Sequence, residues 1–520
     1  MATTHSSANI SRPRRPLGSA AATLVALSLL AGCGGSAVED ATGAGGTDSA
    51  VTSTTDPAPG ELATDPGAAT VPGSPDAASA TAAPGATSDP GAGGAKTAAP
   101  AGGAKGGKGG APGASEGSVA TLVRNAPIFG GAAACKPATL SEVNIGNVST
   151  LSGVLGELFA PVVPALDTFV ASQNACGGLN GHKIRFFQAD DQGDPSTAIT
   201  EVTELITKKN VLAFVGNVQV MTVDAVIPTI KKYGIPLIGG DIATSTWFSN
   251  PLLFPQGGPP QSVSYGHLLG ATQYHHATRA GHLYCIEVAR SCTEINRALV
   301  ELAPKLGVTM AKQAQASITS PSYVSQCLDF KNAKVDALVM SLDAASMARL
   351  GRSCTQVGYY PKLMAYPLAV GNEKQFLGQK WLANTYVPMN VFPWPANATP
   401  AQKYFHQMMT KYNPGVASGG AASIGWTAGA LLVAASANLS ATNPTTQQFL
   451  DGLWQFNGQK FTELGGLSGP KTFARDEIPR VPYCLFAAIS NDDNTGWRTP
   501  AATPTCSDVI APSDPQAQAR

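Results

Sequence analysis

Three short groups of residues stand where buried β-strands are predicted to end, and they carry the chemistry that could hold a ligand. Their hydroxyl groups, and the backbone N–H groups of the helices that follow, suit an anionic or polar ligand group. Ser and Thr are also the residues that most often cap helices, so a purely structural role stays open for each. The groups are Ser149, Thr150 and Ser152; Gln219, Met221 and Thr222; and Ala243, Thr244 and Ser245.

The elements that position these groups are clearest in residues 182–216. Lys183–Ala189 is apolar and rich in β-forming residues, and an acidic turn with Gly and Pro follows it. Ser196–Lys208 has apolar residues at helical spacing, and Val211–Val215 is a second short apolar run. Strands joined by a helix form a parallel pair that is covered on both faces. The chain is therefore predicted to be α/β, and ligands of such sheets bind beyond the carboxyl ends of the strands.

The acidic turn Asp190–Pro195, with the helix and strand after it, resembles the first lobe of the type I periplasmic binding proteins. The closest branch is the leucine/isoleucine/valine-binding-protein-like receptors of ABC importers. Residues 145–153 and 233–244 are similar to the same family, and the resemblance spans residues 139–491. It implies the periplasmic binding protein-like I fold, in which two doubly wound parallel-sheet lobes are joined by a hinge. Such lobes close on a small-molecule solute, which ABC permease and ATPase subunits then receive.

A second series of alternating strands and helices follows the first hinge, as expected for a second lobe. Asp343 comes after a strand that is predicted to end at Met340, and it either faces the cleft or caps the next helix. Trp247, Tyr265 and Tyr366 could stack on a solute, although packing or surface roles stay open for these rings.

The residues that hold a free amino acid in this family are largely missing. Family members bind the ligand carboxylate with a Ser in the loop after the third strand, where this chain has Met221. The Asp that binds the ammonium group has no counterpart in Gly257–Gln261, and the acid of the second lobe aligns with Leu368 rather than with nearby Glu373. The resemblance therefore implies a solute other than a free α-amino acid, with small amides, short carboxylates and aromatic compounds open.

The first residues have the pattern of an export signal. Three arginines within residues 12–15 precede a short apolar run that ends Leu30-Ala31-Gly32-Cys33. The run is too short to span a bilayer well and resembles the bacterial lipobox, which implies a signal peptide over residues 1–33 and a lipid anchor on Cys33. A plain secretory signal with an incidental Cys is the alternative. Residues 34–118 are mainly Ala, Gly, Pro, Ser and Thr, and we expect a disordered tether.

Predicted hinge crossings divide the rest of the chain. Ala421–Asn438 is apolar enough for a membrane span, but its small residues and the soluble pattern before it favour a helix buried in a lobe. Ser507–Arg520 is expected to be a frayed tail. The predicted ranges are the first part of lobe one, 119–258; lobe two, 259–387; a return to lobe one with a late strand and a crossing back, 388–491; and a C-terminal tail, 492–520.

Eight cysteines remain when Cys33 is set aside, and an even number in an exported protein predicts disulfides. The chain has no CxxC motif and only 7 histidines, so a metal or thiol-redox site is the less favoured alternative. Pairing of sequence neighbours predicts four disulfides: Cys135–Cys176, Cys285–Cys292, Cys327–Cys354 and Cys484–Cys506.

Composition and motifs exclude several classes of function. The formal net charge is zero and 13% of the residues are charged, without a basic stretch interleaved with aromatics, so no nucleic-acid partner is expected. The Asp190–Asp194 turn lacks the spacing of a calcium loop, and neither a metal nor a cofactor is expected. The chain has no GxSxG elbow between a predicted strand and helix and no HExxH motif, so an enzyme, such as a surface hydrolase, is disfavoured.

The sequence thus predicts a lipid-anchored receptor on the extracytoplasmic face of the cell membrane. It would capture a small polar solute between two lobes and deliver it to an ABC importer. The alternative is a ligand-sensing or scaffold lipoprotein of the same fold without a transport role.

Overall fold

A computed structural model of the protein describes residues 118–416 and 418–519. The predicted signal peptide, the lipidation site Cys33 and the predicted tether up to residue 117 lie outside these residues. The described chain forms two sheets, each of which receives helices from the segments that connect its strands.

The first sheet is parallel, with strand order β2-β1-β3-β4-β5. One of its connecting helices, Pro195–Thr207, begins at a side-chain cap: the Asp194 carboxylate accepts a 2.7 Å bond from the backbone N–H of Thr197, and Pro195 occupies the first turn. The strands are β1 (Leu140–Ser149), β2 (His182–Asp190), β3 (Ala213–Asn217), β4 (Leu237–Gly240) and β5 (Leu253–Phe254). The helices are α1 (Ser118–Asn125), α2 (Gly156–Phe159), α3 (Val162–Ala175), α4 (Pro195–Thr207) and α5 (Val223–Tyr233).

The second sheet has the order β12-β11-β10-β9-β8-β6-β7, with β13 paired to β11. It is parallel from β7 to β10 and antiparallel where β11 joins. The strands are β6 (Arg279–Cys285), β7 (Thr309–Ala316), β8 (Ala337–Ser341), β9 (Lys362–Ala365), β10 (Tyr386–Met389), β11 (Tyr483–Ser490), β12 (Trp497–Arg498) and β13 (Thr505–Ser507). The helices are α6 (Pro260–Leu269), α7 (Ala289–Leu302), α8 (Val324–Asn332), α9 (Ala344–Gln356) and α10 (Glu373–Phe376).

Three further helices return to the first sheet: α11 (Pro400–Tyr412), α12 (Gly420–Ala435) and α13 (Thr446–Leu453). Helix α12 packs against α3, β3 and β4, and all of its residues are buried. A side chain at Gly429 would place its first carbon 2.5 Å from the Phe169 ring, so the small residues of α12 permit close helix packing. The segment Gly420–Asn438 is long and apolar enough to cross a membrane, yet 94% of it is buried inside the fold, which confirms the prediction of a buried helix.

The chain crosses between the two sheets three times, after β5, after β10 and before β11. The Gln256 side chain bonds both the N–H and the C=O of Gly240, at 3.0 and 2.7 Å. The Asn390 side chain donates a 2.7 Å bond to the Gly258 carbonyl, so the first two crossings are tied together. The strand expected late in the chain, β11, lies in the second sheet.

The expected fraying of Ser507–Arg520 is wrong as far as residue 519. Ala511 and Asp514 are fully buried, and the Tyr483 hydroxyl donates a 2.8 Å bond to the Asp514 carboxylate. A short helix, α14 (Pro515–Gln518), follows. Contacts with a strand thirty residues earlier in the chain hold this segment, and its own composition gave no sign of them.

Four disulfides are present, and they join the predicted pairs: Cys135–Cys176, Cys285–Cys292, Cys327–Cys354 and Cys484–Cys506. Each links neighbouring elements. Cys285 ends β6 and bonds to the first turn of α7, which brings this disulfide to the carboxyl edge of the second sheet.

Candidate ligand-binding site between the two lobes

A cavity lies between the carboxyl ends of the two sheets. Its first wall comes from the loops after β1, β3 and β4, and its second wall comes from the ends of β6, β8 and β9, from the loop after β7 and from α7. The first wall consists of Leu155, Leu158, Phe159, Val220 and Ala243. The second wall includes Cys285, Cys292, Ile295, Ile318, Leu342 and Leu368. Apolar side chains therefore dominate both walls.

The space between the walls is narrow. The cavity volume is about 50 Å³. A cavity of this size is too small for most ligands, which usually occupy roughly 300–1,000 Å³. A solute would therefore enter when the lobes separate and the walls adjust around it.

The hydroxyl groups predicted to face this cavity are mostly turned away from it. Thr150 Oγ1 and Thr222 Oγ1 each donate a 2.6 Å bond to the Asp191 carboxylate, which has no exposed surface. The Gly193 N–H donates to the same carboxylate at 2.8 Å. A buried charge of this kind requires hydrogen-bond donors, so these two hydroxyls are engaged within the first lobe.

Ser149 and Gln219 serve the same internal network. Ser149 Oγ donates to the Asn147 side chain at 3.0 Å and accepts from the Val218 N–H at 2.9 Å. The Gln219 N–H donates to the carboxylate of Asp241 at 3.1 Å. Burial raises the pKa of Asp241 from 3.8 to about 6. Ser152 is exposed and Met221 is 38% exposed, and neither lines the cavity.

The loop after β4 connects the lobes. The Ala243 carbonyl accepts a 2.7 Å bond from Ser291 Oγ, and the Ser245 N–H donates a 2.8 Å bond to the Glu294 carboxylate. Ala243 also lines the cavity. Thr244 Oγ1 is buried and has no hydrogen-bond partner among the described residues. Helix α7 of the second lobe is therefore bonded directly to the first lobe.

Two of the predicted residues in the second lobe line the cavity, and one does not. Asp343 lies on the cavity wall and also caps α9, because its carboxylate accepts a 3.0 Å bond from the Ser346 N–H. Tyr366 lines the cavity as well; burial and the nearby carboxylates raise the pKa of its hydroxyl, which therefore stays a donor. Tyr265, the third residue, packs against Tyr483 instead, with 6.2 Å between ring centroids. Trp247, which follows β4 in the first lobe, is fully buried.

Sequence reasoning missed most of the apolar wall. Leu155 and Phe159 stand four residues apart, so they lie on one face of a helical turn, and this spacing was a usable signal. The Cys285–Cys292 disulfide was predicted, but its place on the cavity wall depends on where β6 ends beside α7. Ile318 lies in the loop after β7, and no sequence pattern marks it as a wall residue.

The two carboxylates of the cavity, those of Glu287 and Asp343, are already bonded. The Glu287 carboxylate accepts from the N–H of Ile318 at 3.0 Å and from the Ile286 N–H at 3.2 Å. No Lys or Arg lines this cavity among the described residues. In residues 118–416 and 418–519, no cluster of three or more His, Cys, Asp or Glu side chains could hold a metal ion. The arrangement can therefore enclose an apolar group, and it offers little to a free anion.

Comparison with known proteins places this geometry in a family. A sequence model of the family described as periplasmic binding protein matches residues 142–492. No curated protein sequence matches the chain.

Solved structures of similar fold include a branched-chain amino acid ABC transporter from Thermus thermophilus with bound valine. It has 13% identity and a TM-score of 0.61, and the match covers 71% of this chain and 97% of that one. A fatty acid ABC transporter substrate-binding protein from Thermomonospora curvata has 18% identity and a TM-score of 0.59, with 72% and 95% covered. A solute-binding protein from R. palustris in complex with benzoate has 16% identity and a TM-score of 0.54, with 71% and 98% covered. The family match and these shared folds lead to one conclusion: the chain belongs to the periplasmic binding protein family and has its type I, two-lobed fold.

Proposed function

We propose that the protein is an extracytoplasmic receptor that captures a small, largely apolar solute between its lobes and delivers it to an ABC importer. The observation that carries the proposal is the cavity, because its walls come from both lobes and consist mainly of apolar side chains. Each methylene group buried there contributes about 0.8 kcal/mol, so a few carbon atoms supply useful affinity. The polar solute that the hydroxyl-rich loops suggested is less well matched to these walls.

The groups around the cavity disfavour a free amino acid. Thr150 and Thr222 are bonded to Asp191, and the Met221 side chain has no hydroxyl to offer a carboxylate. Among the described residues, the cavity contains no cation that could neutralise a carboxylate inside it. A zwitterion would therefore lose its hydration without gaining matched partners for both charges.

The similar structures support an apolar solute by example. The protein from Thermomonospora curvata is described as a fatty acid ABC transporter substrate-binding protein, and the one from R. palustris was solved in complex with benzoate. The shared fold can therefore enclose apolar chains and rings. Delivery to an ABC permease and ATPase is the role that family membership supports best.

A thermal-shift and calorimetry screen tests the proposal. The panel pairs alkyl and aryl compounds, octanoate, 1-octanol, benzoate and benzyl alcohol, with leucine and valine as polar comparators. A ligand that binds only the folded protein raises Tm, so we expect the apolar compounds to raise Tm and the amino acids to leave it unchanged. Stabilisation by leucine or valine alone would contradict the proposal.

A variant that fills the cavity links such binding to this site. Ala369 lines the cavity and is 5% exposed, so Ala369→Phe should occupy the space and abolish the Tm shift. Ala348 lies on α9 and lines a separate groove, so Ala348→Phe is the matched control and should keep the shift. Equal binding by wild type and Ala369→Phe would place the solute elsewhere.

We also propose that Cys33 carries the lipid that holds the receptor at the membrane. The support is the Leu30–Cys33 motif and the small-residue tether that follows it. More than one acyl chain is needed for stable anchoring, and a diacylated Cys supplies it. In the producing cell, Cys33→Ser should move the protein from the membrane fraction to the medium; full retention in the membrane fraction would refute the anchor.

A further inference from the structure

A second cavity adjoins the apolar one and differs from it in polarity. The two share Leu158, Ile318, Asp343 and Ala369 on their walls. The second cavity has a volume of about 200 Å³, against about 50 Å³ for the first. Its remaining walls include the polar side chains of Thr319, Arg349, Asn372 and Gln375. The apolar cavity therefore opens on one side into a larger polar space.

Arg349 is the only Lys or Arg on the walls of either cavity within the described chain. Its Nε donates a 3.1 Å bond to the Ser320 carbonyl, and its Nη2 donates to the Ile318 carbonyl and, at 2.7 Å, to Ser346 Oγ. These bonds hold the guanidinium in place through the loop after β7. Arg349 has no carboxylate within salt-bridge distance among residues 118–416 and 418–519, and its Nη1 bonds no described residue.

The acidic neighbour in the second cavity is already engaged. Both oxygens of the Asp343 carboxylate accept from Ser346, one from its N–H at 3.0 Å and the other from its hydroxyl. Capping and the helix dipole compensate this charge. Of the two charged groups, Arg349 is therefore the one with unused hydrogen-bonding capacity, and its planar donors suit a carboxylate.

We propose that the two cavities form one binding site for an amphipathic anion. The apolar part of the solute lies between Leu155, Phe159 and Ile318, and its carboxylate binds Arg349 in the polar cavity. This inference rests on the proposed function and specifies the class of solute: a carboxylate with an alkyl or aryl body. It differs from the amino-acid pattern of the family, in which loops of the first lobe hold the carboxylate.

Matched pairs of compounds test the role of Arg349. Isothermal titration calorimetry compares octanoate with 1-octanol, and benzoate with benzyl alcohol, on the full extracytoplasmic chain. Wild type should bind each carboxylate on the order of 10-fold or more tightly than its alcohol, because a charge-assisted bond to Arg is stronger than a neutral one. Arg349→Gln should remove this preference, measured as the ratio of the carboxylate and alcohol affinities, while Arg349→Lys should keep part of it.

A control on the same helix separates the loss of the Arg349 charge in the cavity from the loss of any positive charge on α9. Arg352 is exposed and lines a different groove, so Arg352→Gln should behave as wild type. An Arg349→Gln variant that loses alcohol and carboxylate affinity equally would show that Arg349 positions the loop and does not bind the anion, which overturns the inference. Equal binding of octanoate by wild type and Arg349→Gln, or tighter binding of octylamine than of octanoate by wild type, would also overturn it. Each of these outcomes would leave the proposed receptor for an apolar solute standing. A wild-type protein that binds none of octanoate, 1-octanol, benzoate and benzyl alcohol would contradict both proposals.

Discussion

Both walls of the cavity are apolar, yet the loops that form them differ in composition. The loops after β1, β3 and β4 in the first lobe are rich in hydroxyl groups, but Thr150 and Thr222 point inward to Asp191. The second wall presents apolar side chains and the Cys285–Cys292 disulfide to the cavity. A buried acid behind the first wall accounts for the difference, since its carboxylate needs donors that water cannot supply.

Asp191→Ala tests the role of this buried acid and should have the largest effect on stability. It removes the acceptor of two buried hydroxyls and of the Gly193 N–H, and Asp191 itself has no exposed surface. The free energy of unfolding should fall by about 4 kcal/mol, because several buried donors lose their partner together. Chemical denaturation measures the loss. Asp190→Ala, in the same turn but partly exposed, is the control and should cost less; equal losses would mean that the inward network has no special role.

The second carboxylate behind the first wall should make stability depend on pH. Burial raises the pKa of Asp241 to about 6, so the folded state holds the proton more tightly than the unfolded state. Its contribution to stability is fully present below about pH 4 and is lost as the pH rises through about 6, a change of about 3 kcal/mol. Unfolding curves of wild type and Asp241→Asn between pH 4 and 7.5 should show wild type losing stability relative to the variant as the pH rises. A difference that stays constant would place the Asp241 pKa near its ordinary value.

Removal of the Cys285–Cys292 disulfide tests the second wall of the cavity. Cys285→Ala with Cys292→Ala opens a loop between cysteines 7 residues apart and should cost about 2.5 kcal/mol of stability. Cys135→Ala with Cys176→Ala opens a loop with a separation of 41 and should cost about 4 kcal/mol. Only the first pair lines the cavity, so calorimetry should show weaker solute binding for that variant alone. Equal weakening by both double variants would make the effect one of general stability.

Thr222→Ala should have the smallest effect. It removes one donor from Asp191 and should lower the free energy of unfolding by about 1.5 kcal/mol. Binding of an apolar solute should stay unchanged, because the hydroxyl is bonded away from the cavity. A clear loss of affinity in calorimetry, with little loss of stability, would restore Thr222 to the ligand-facing role that its position in the sequence suggested.

These differences explain which features of the fold and of the candidate site could be predicted from the sequence. Alternating strand and helix patterns, the Asp194–Pro195 helix start and the local pairing of cysteines are properties of short segments, and they predicted the architecture and the four disulfides. The direction of the Thr150 and Thr222 hydroxyls depends on Asp191, which reaches both only after β1, β2 and β3 come together. Order in the C-terminal segment depends on Tyr483, which lies far from Asp514 in sequence. Contacts between distant segments decide these features, and no single stretch of sequence encodes them.

A crystal structure of the protein with octanoate tests the central claim most directly. We expect density for the alkyl chain between Leu155, Phe159 and Ile318, enclosed by both lobes. Density for octanoate at another site, or an alkyl chain that contacts one lobe alone, would contradict it.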